Sequence, residues 1–160
     1  MSDRTVIHST FVIERDYPSS AARVFAALSD PTQKRRWFAE GEGFNVVSFE
    51  MDFQVGGFER SRFRFKASTP LPEGTACAND TVFLDIVADE RIVLAYTMSI
   101  AGKRISSSQA TFVLVPAGTG TRLVFTEQAA FFAGADGPQM REDGWQRLFG
   151  SLSRELARSA

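Results

Sequence analysis

The chain predicts an α+β fold in which a curved antiparallel sheet of six to seven strands wraps one long C-terminal helix. Three observations carry this. Beyond Asp136-Gly137-Pro138, residues Trp145, Leu148, Phe149, Leu152 and Leu156 fall on one helical face, a stripe that needs a large partner surface. From Phe44 to Gln128 the pattern has period two, broken by short turn signals, as expected of strands joined by hairpins. Between the first strand and the second lie two short segments that open on helix-capping residues.

The elements follow in order. Val6 to Tyr17 is rich in Val, Ile, Thr and Phe and reads as a strand, ended by Pro18 and Ser19. Ser19 or Ser20 caps a short helix carrying Ala22, Val24, Phe25 and Leu28. Asp30-Pro31 opens a second, with Asp as cap and Pro in the first turn, running to about Phe38. Phe44 to Met51 and Phe58 to Ala67 are strands, and Gly56-Gly57 between them is a turn or bulge and a source of curvature. In the second of these strands Phe63 and Phe65 alternate with Arg62, Arg64 and Lys66, an apolar face against a basic one. Thr69 to Gly74 is an internal loop. Ala76 to Ala88, Arg91 to Ala101, Ser106 to Val115 and Arg122 to Gln128 follow as strands with short turns, which favours antiparallel meander pairing.

Composition bounds the rest. At 160 residues the chain fits one domain spanning 1–160 and can bury a core without staples. A formal net charge of −1 argues against a nucleic-acid surface of the usual basic kind. Fifteen Phe against two Tyr point to an interior or cavity wall with few polar tips to satisfy. Cys77 is the one cysteine, so no internal disulfide forms, which fits a reducing compartment. Met1-Ser2-Asp3-Arg4 leads into an alternating run with no signal-peptide pattern, and no segment is long and apolar enough to span a membrane. A cytoplasmic location and no membrane partner are the expectations.

Few residues carry an obvious chemistry. His8 is the one histidine and lies on the first strand without an acidic neighbour at fixed spacing, so a structural role is favoured. A His-rich metal site is excluded by count and no carboxylate motif replaces it. Cys77 lacks a Cys-x-x-Cys partner, no Ser sits in a Gly-x-Ser-x-Gly elbow, and Gly118-Thr119-Gly120 lacks the Lys of a phosphate loop, so no cofactor is expected. Glu127 is more informative. Leu123, Phe125 and Glu127 share a face by period two, which puts one carboxylate at the end of an apolar face, at the rim of any cavity. There it could orient a ligand or serve as a base with a raised pKa. The bland alternative pairs it with Arg62 or Arg64. Tyr96, mid-strand, offers a hydroxyl to the same interior.

Several of these segments resemble the SRPBCC superfamily, the helix-grip fold shared with START lipid-transfer domains and the birch-pollen allergen. The resemblance rests on Ser20-Ala21-Ala22-Arg23-Val24-Phe25 through Ser29-Asp30-Pro31, Arg36-Trp37-Phe38 and Val55-Gly56-Gly57-Phe58. It continues at Gly120-Thr121-Arg122-Leu123, Thr126-Glu127-Gln128 and Gly144-Trp145. Within the superfamily the chain is most similar to the branch related to the activator of heat-shock-protein ATPase, also described as polyketide-cyclase-like. The resemblance implies a seven-stranded-type sheet around the C-terminal helix, an internal cavity, and a pocket entrance near Trp37. Fold alone does not choose an activity.

Three functions compete. The first is binding of a small hydrophobic or amphipathic molecule between sheet and helix, with Trp37, Phe63, Phe65, Tyr96, Phe125, Glu127, Trp145 and Phe149 as candidate lining residues. For Trp37, Tyr96 and Trp145 core packing is the simpler reading. The second is a polyketide cyclase or aromatase using the same cavity, with Glu127 or Tyr96 in proton transfer. The third is docking on a chaperone, as the branch name implies. A sheet edge or the exposed end of the long helix offers a two-fold dimer contact.

Overall fold

The strands and helices form where the pattern places them, with one local departure in the second short helix. A computed structural model describes residues 4–41, 43–67 and 71–158. The reading of Met1 to Asp3, and Thr69 and Pro70 of the internal loop, lie outside the described residues. The elements are β1 (Ile7–Tyr17), α1 (Ala21–Ser29), α2 (Pro31–Lys34), a π-helical turn (Arg35–Ala39), β2 (Phe44–Met51) and β3 (Phe58–Phe65). There follow β4 (Ala76–Val87), β5 (Arg91–Ile100), β6 (Lys103–Ala117), β7 (Gly120–Phe131) and α3 (Pro138–Ala157). All seven strands pair antiparallel in the order β1-β7-β6-β5-β4-β3-β2. β1 and β2 are therefore the two edges, and α1, α2 and the π turn span the distance between them.

Local chemistry explains the helix starts. The Ser20 side chain accepts from the Arg23 amide, and Asp30 accepts from the Thr32 and Gln33 amides ahead of Pro31. The expected second helix to Phe38 is corrected. Its α-helical part stops at Lys34, and a wider turn follows in which the Glu40 amide bonds the Arg35 carbonyl. Opposing anchors hold that turn open. Lys34 pairs with Glu59 of β3 at 2.9 Å, while Arg36 grips Glu155 of α3 at 2.6 Å.

Curvature comes from strand irregularities, the expected Gly56-Gly57 bulge among them. Register shifts fall between Val46 and Ser48, between Phe83 and Asp85, and between Met98 and Ser99. Gly56 and Gly57, just ahead of β3, together oppose Phe83 of β4. The Gly56 amide donates to the Phe83 carbonyl at 2.8 Å and the Phe83 amide to the Gly57 carbonyl at 3.0 Å, with Gly56 at φ +82° and no room for a side chain at Gly57 beside the Asp52 carbonyl. The concave face of β7 carries Leu123, Phe125, Glu127, Ala129 and Phe131, all buried. Against it α3 lays Trp145, Phe149, Leu152 and Leu156, with Leu148 half-buried. Phe149 is fully enclosed, a burial that contributes about 2–3 kcal/mol. No helix among the described residues is long and apolar enough to cross a membrane.

Candidate functional site

The interior divides into two apolar clusters. The larger joins Phe11, Trp37, Phe83, Tyr96, Phe125, Trp145 and Phe149 with their neighbours on β1, α1 and α3. Its rings pack edge to face and obliquely, Phe125 lying 4.5 Å from Trp145 and 5.2 Å from Phe149 between centroids. The smaller cluster is built on β2, β3 and β4. Its buried nucleus is only Ala39, Phe63 and Cys77, ringed by half-buried Phe44, Val46, Phe49, Phe65, Met98 and Ile100. Phe38 and Met98 pack on both clusters.

Glu127 sits in the larger cluster, fully buried, and not at a rim as its place near the strand end suggested. Nor does it pair with Arg62 or Arg64: Arg62 bonds Asp80, and Arg64 bonds the Gly74 carbonyl. Its carboxylate is saturated instead. The Tyr96 hydroxyl and the Trp145 indole N–H donate to Oε1 at 2.8 and 2.9 Å. Ser108 donates to Oε2 at 3.1 Å, and Arg141 approaches the same oxygen at 3.4 Å. Arg141 is itself buried. It donates to the Tyr96 hydroxyl at 3.0 Å and to Ser106 at 2.8 Å, and makes a bidentate pair with Asp136 at 2.9 Å.

These surroundings set the ionisation. Burial raises the Glu127 carboxyl above its ordinary 4.5, while Arg141, Tyr96, Ser108 and Trp145 each pull it back down. Burial, then the Glu127 charge, hold the Tyr96 phenol well above its usual range. Burial opposes the Arg141 charge, but Tyr96, Asp136 and Glu127 together outweigh it and keep the guanidinium protonated. The cluster therefore holds one fixed cation between two acidic side chains and a neutral phenol. Such a network positions side chains firmly and supplies a proton-binding carboxyl in an apolar wall.

The other expected residues fall in different places. Tyr96, Phe125, Glu127, Trp145 and Phe149 come together around one point. Trp37 joins the same cluster but is buried, and its indole N–H is spent on the Ala27 carbonyl at 2.8 Å. Phe63 and Phe65 belong to the smaller cluster, each within ring contact of Phe44. His8 is exposed on the edge strand. Burial, first of all, pushes the Cys77 thiol up to about 11, so it is a packing residue. Arg141, Asp136, Ser106 and Ser108 were missed. Arg141 had a legible signal, since it lies four residues before Trp145 and so on the same face as the apolar stripe. The two serines, in a polar run on β6, had none.

Two depressions open along the sheet. One of about 300 Å³ is lined by residues that include Val47, Arg62, Phe63, Arg64 and Cys77, and one of about 400 Å³ by residues that include Phe58, Arg60, Asp80, Thr81 and Tyr96. No group of three or more His, Cys, Asp or Glu poised for a metal ion occurs among the described residues.

A seven-stranded antiparallel sheet closed on a C-terminal helix, with two short helices after the first strand, defines a helix-grip protein of the SRPBCC superfamily. Within it the chain belongs to the family described as Activator of Hsp90 ATPase homolog 1-like protein, whose model matches residues 18–157. The Mll3558 protein of Rhizobium loti is 45% identical with a TM-score of 0.84, over 95% of this chain and 99% of that one. A protein of Rhizobium leguminosarum is 36% identical with a TM-score of 0.87, over 97% and 98%. DynU16, from the dynemicin biosynthetic locus, shares the fold at 16% identity and a TM-score of 0.63, over 93% of this chain and 47% of that one. Among curated proteins none matches.

Proposed function

We propose that the protein binds a small hydrophobic or amphipathic molecule on the concave face of the sheet, between β2–β5 and α3. One observation carries this reading. The interior is finished on the β1–β7 side, where α3 fills it, and unfinished on the β2–β4 side. There Phe44, Phe49, Phe65, Met98 and Ile100 remain half-buried around a nucleus of only three buried residues, Ala39, Phe63 and Cys77. Aromatic surface of this kind, facing inward and left partly wet, is a lining in want of an occupant. Family membership supports the same reading, because helix-grip members use this interior for ligands.

A cyclase-type enzyme is the second reading, and the buried Glu127–Tyr96 pair favours it. Both oxygens of Glu127 are already engaged, however, so the cluster as built serves better to shape the interior than to present a base.

Thermal-shift screening and native mass spectrometry against fatty acids, sterols and aromatic polyketides test the reading. Saturable stabilisation by at least one class, with a one-to-one mass adduct, is the expected result. No shift and no adduct for any class would overturn it.

A further inference from the structure

Among the described residues, two buried side-chain atoms find no hydrogen-bond partner: Ser61 Oγ and Asn79 Oδ1. They are neighbours. Ser61 on β3 stands directly opposite Asn79 on β4, and Asn79 opposite Met98 on β5. By strand alternation both point to the concave face, since Glu59 and Phe63 flank Ser61 there and all three are buried. Ser61 is fully enclosed.

Among the described residues the buried ions are matched within the protein. Lys34 has Glu59, Glu127 has Tyr96, Ser108, Trp145 and Arg141, and Trp37 has the Ala27 carbonyl. Buried polar groups are seldom left unpaired, so an adjacent hydroxyl and amide oxygen without partners call for an explanation. Their position is suited to a ligand. On one side lie Phe63 and Cys77, the nucleus of the unfinished cluster, and on the other Glu59 and Thr81. Met98, opposite Asn79 on β5, packs on both clusters and so borders this pair and the half-buried aromatic surface alike.

We infer that Ser61 and Asn79 are the polar end of the ligand site, and that the ligand is an uncharged apolar molecule bearing a hydroxyl group. This rests on the binding function proposed above. One hydroxyl meets both orphans, donating to Asn79 Oδ1 and accepting from the Ser61 hydroxyl. A carboxylate does not fit, because the nearby cations Lys34 and Arg141 are already committed to Glu59, Glu127 and Asp136. The apolar body of the ligand lies on Phe44, Phe63 and Phe65.

Calorimetric titration with naphthol, naphthalene and naphthoate separates the possibilities, using the wild type, Ser61→Ala and Asn79→Ala. Naphthol is expected to bind the wild type most tightly of the three. Each substitution should weaken naphthol by about two- to tenfold and leave naphthalene unchanged. Ser61→Ala should also leave the Tm of the free protein unchanged or higher, since it deletes an unsatisfied group. Equal affinity for naphthol and naphthalene would overturn the hydroxyl assignment while leaving apolar binding intact. So would preferential binding of naphthoate. A lowered Tm for Ser61→Ala with unchanged naphthol affinity would mean that the pair holds a structural water. No binding of any probe would overturn both this inference and the function it rests on.

Discussion

Arg141 shows how one side chain organises the interior. It reaches from the first turns of α3 to Glu127 on β7, Tyr96 on β5, Ser106 on β6 and Asp136 ahead of its own helix. Removing it leaves Glu127 buried without its cation. Arg141→Met should therefore destabilise the protein by about 3–5 kcal/mol in urea unfolding. The double variant Arg141→Met, Glu127→Leu should recover much of that loss, because an apolar pair carries no uncompensated charge. A single variant within 1 kcal/mol of wild type, by roughly the scatter expected of surface changes, would contradict the network as drawn. Period two placed Glu127 on the concave face from sequence. Its partners were not legible, since they come from three other elements and no spacing along the chain relates them.

At the scale of the element, two glycines make opposite predictions. Gly120 opens β7 where it passes the end of β1, and a Cβ there would strike the Tyr17 carbonyl and crowd Pro18. Gly120→Ala should cost about 1–3 kcal/mol, because neither backbone can retreat without breaking the β1–β7 ladder. Gly150, inside α3, has nothing within 4 Å of an added Cβ. Gly150→Ala should raise stability by about 0.5–1 kcal/mol through helix propensity alone. Denaturant titration of the two variants checks both signs. The Ser20 and Asp30 caps, the Pro138 start of α3 and the hairpin at Gly118-Thr119 were readable because each depends on residues adjacent in sequence. The π turn was not, because its anchors Glu59 and Glu155 are distant along the chain.

For the molecule as a whole, two buried glutamates respond to acid with opposite sign. Bonding to Arg36 lowers Glu155 below its ordinary 4.5, which outweighs its burial. Its stabilisation is therefore present above that value and lost as pH falls through the lower, folded one. Glu127, raised by burial, binds its proton more readily folded than unfolded, so it costs stability as pH rises above 4.5. Unfolding free energies measured from pH 7 down to pH 3 (both values roughly bracketing the glutamate range) should separate them. Glu155→Gln should flatten the acid-side loss, and Glu127→Gln should remove the opposing gain. If neither substitution changes the profile, the Arg36–Glu155 clasp between the π turn and α3 contributes nothing.

The sequence by itself determined the order of elements, the antiparallel meander, the capped helix starts and the apolar face of α3. These follow from periodicity and from turn and cap chemistry within a few residues. Only the tertiary structure decided that Glu127 is sealed among Tyr96, Arg141 and Trp145, and that bulges at Val46, Phe83 and Met98 bend the sheet. It alone left Ser61 and Asn79 facing each other without partners beneath a half-covered aromatic surface. The physical reason is common to all three. A strand's period tells which side a residue faces, while its partner across the interior depends on register, curvature and the placement of α3, which are settled only when the whole sheet closes.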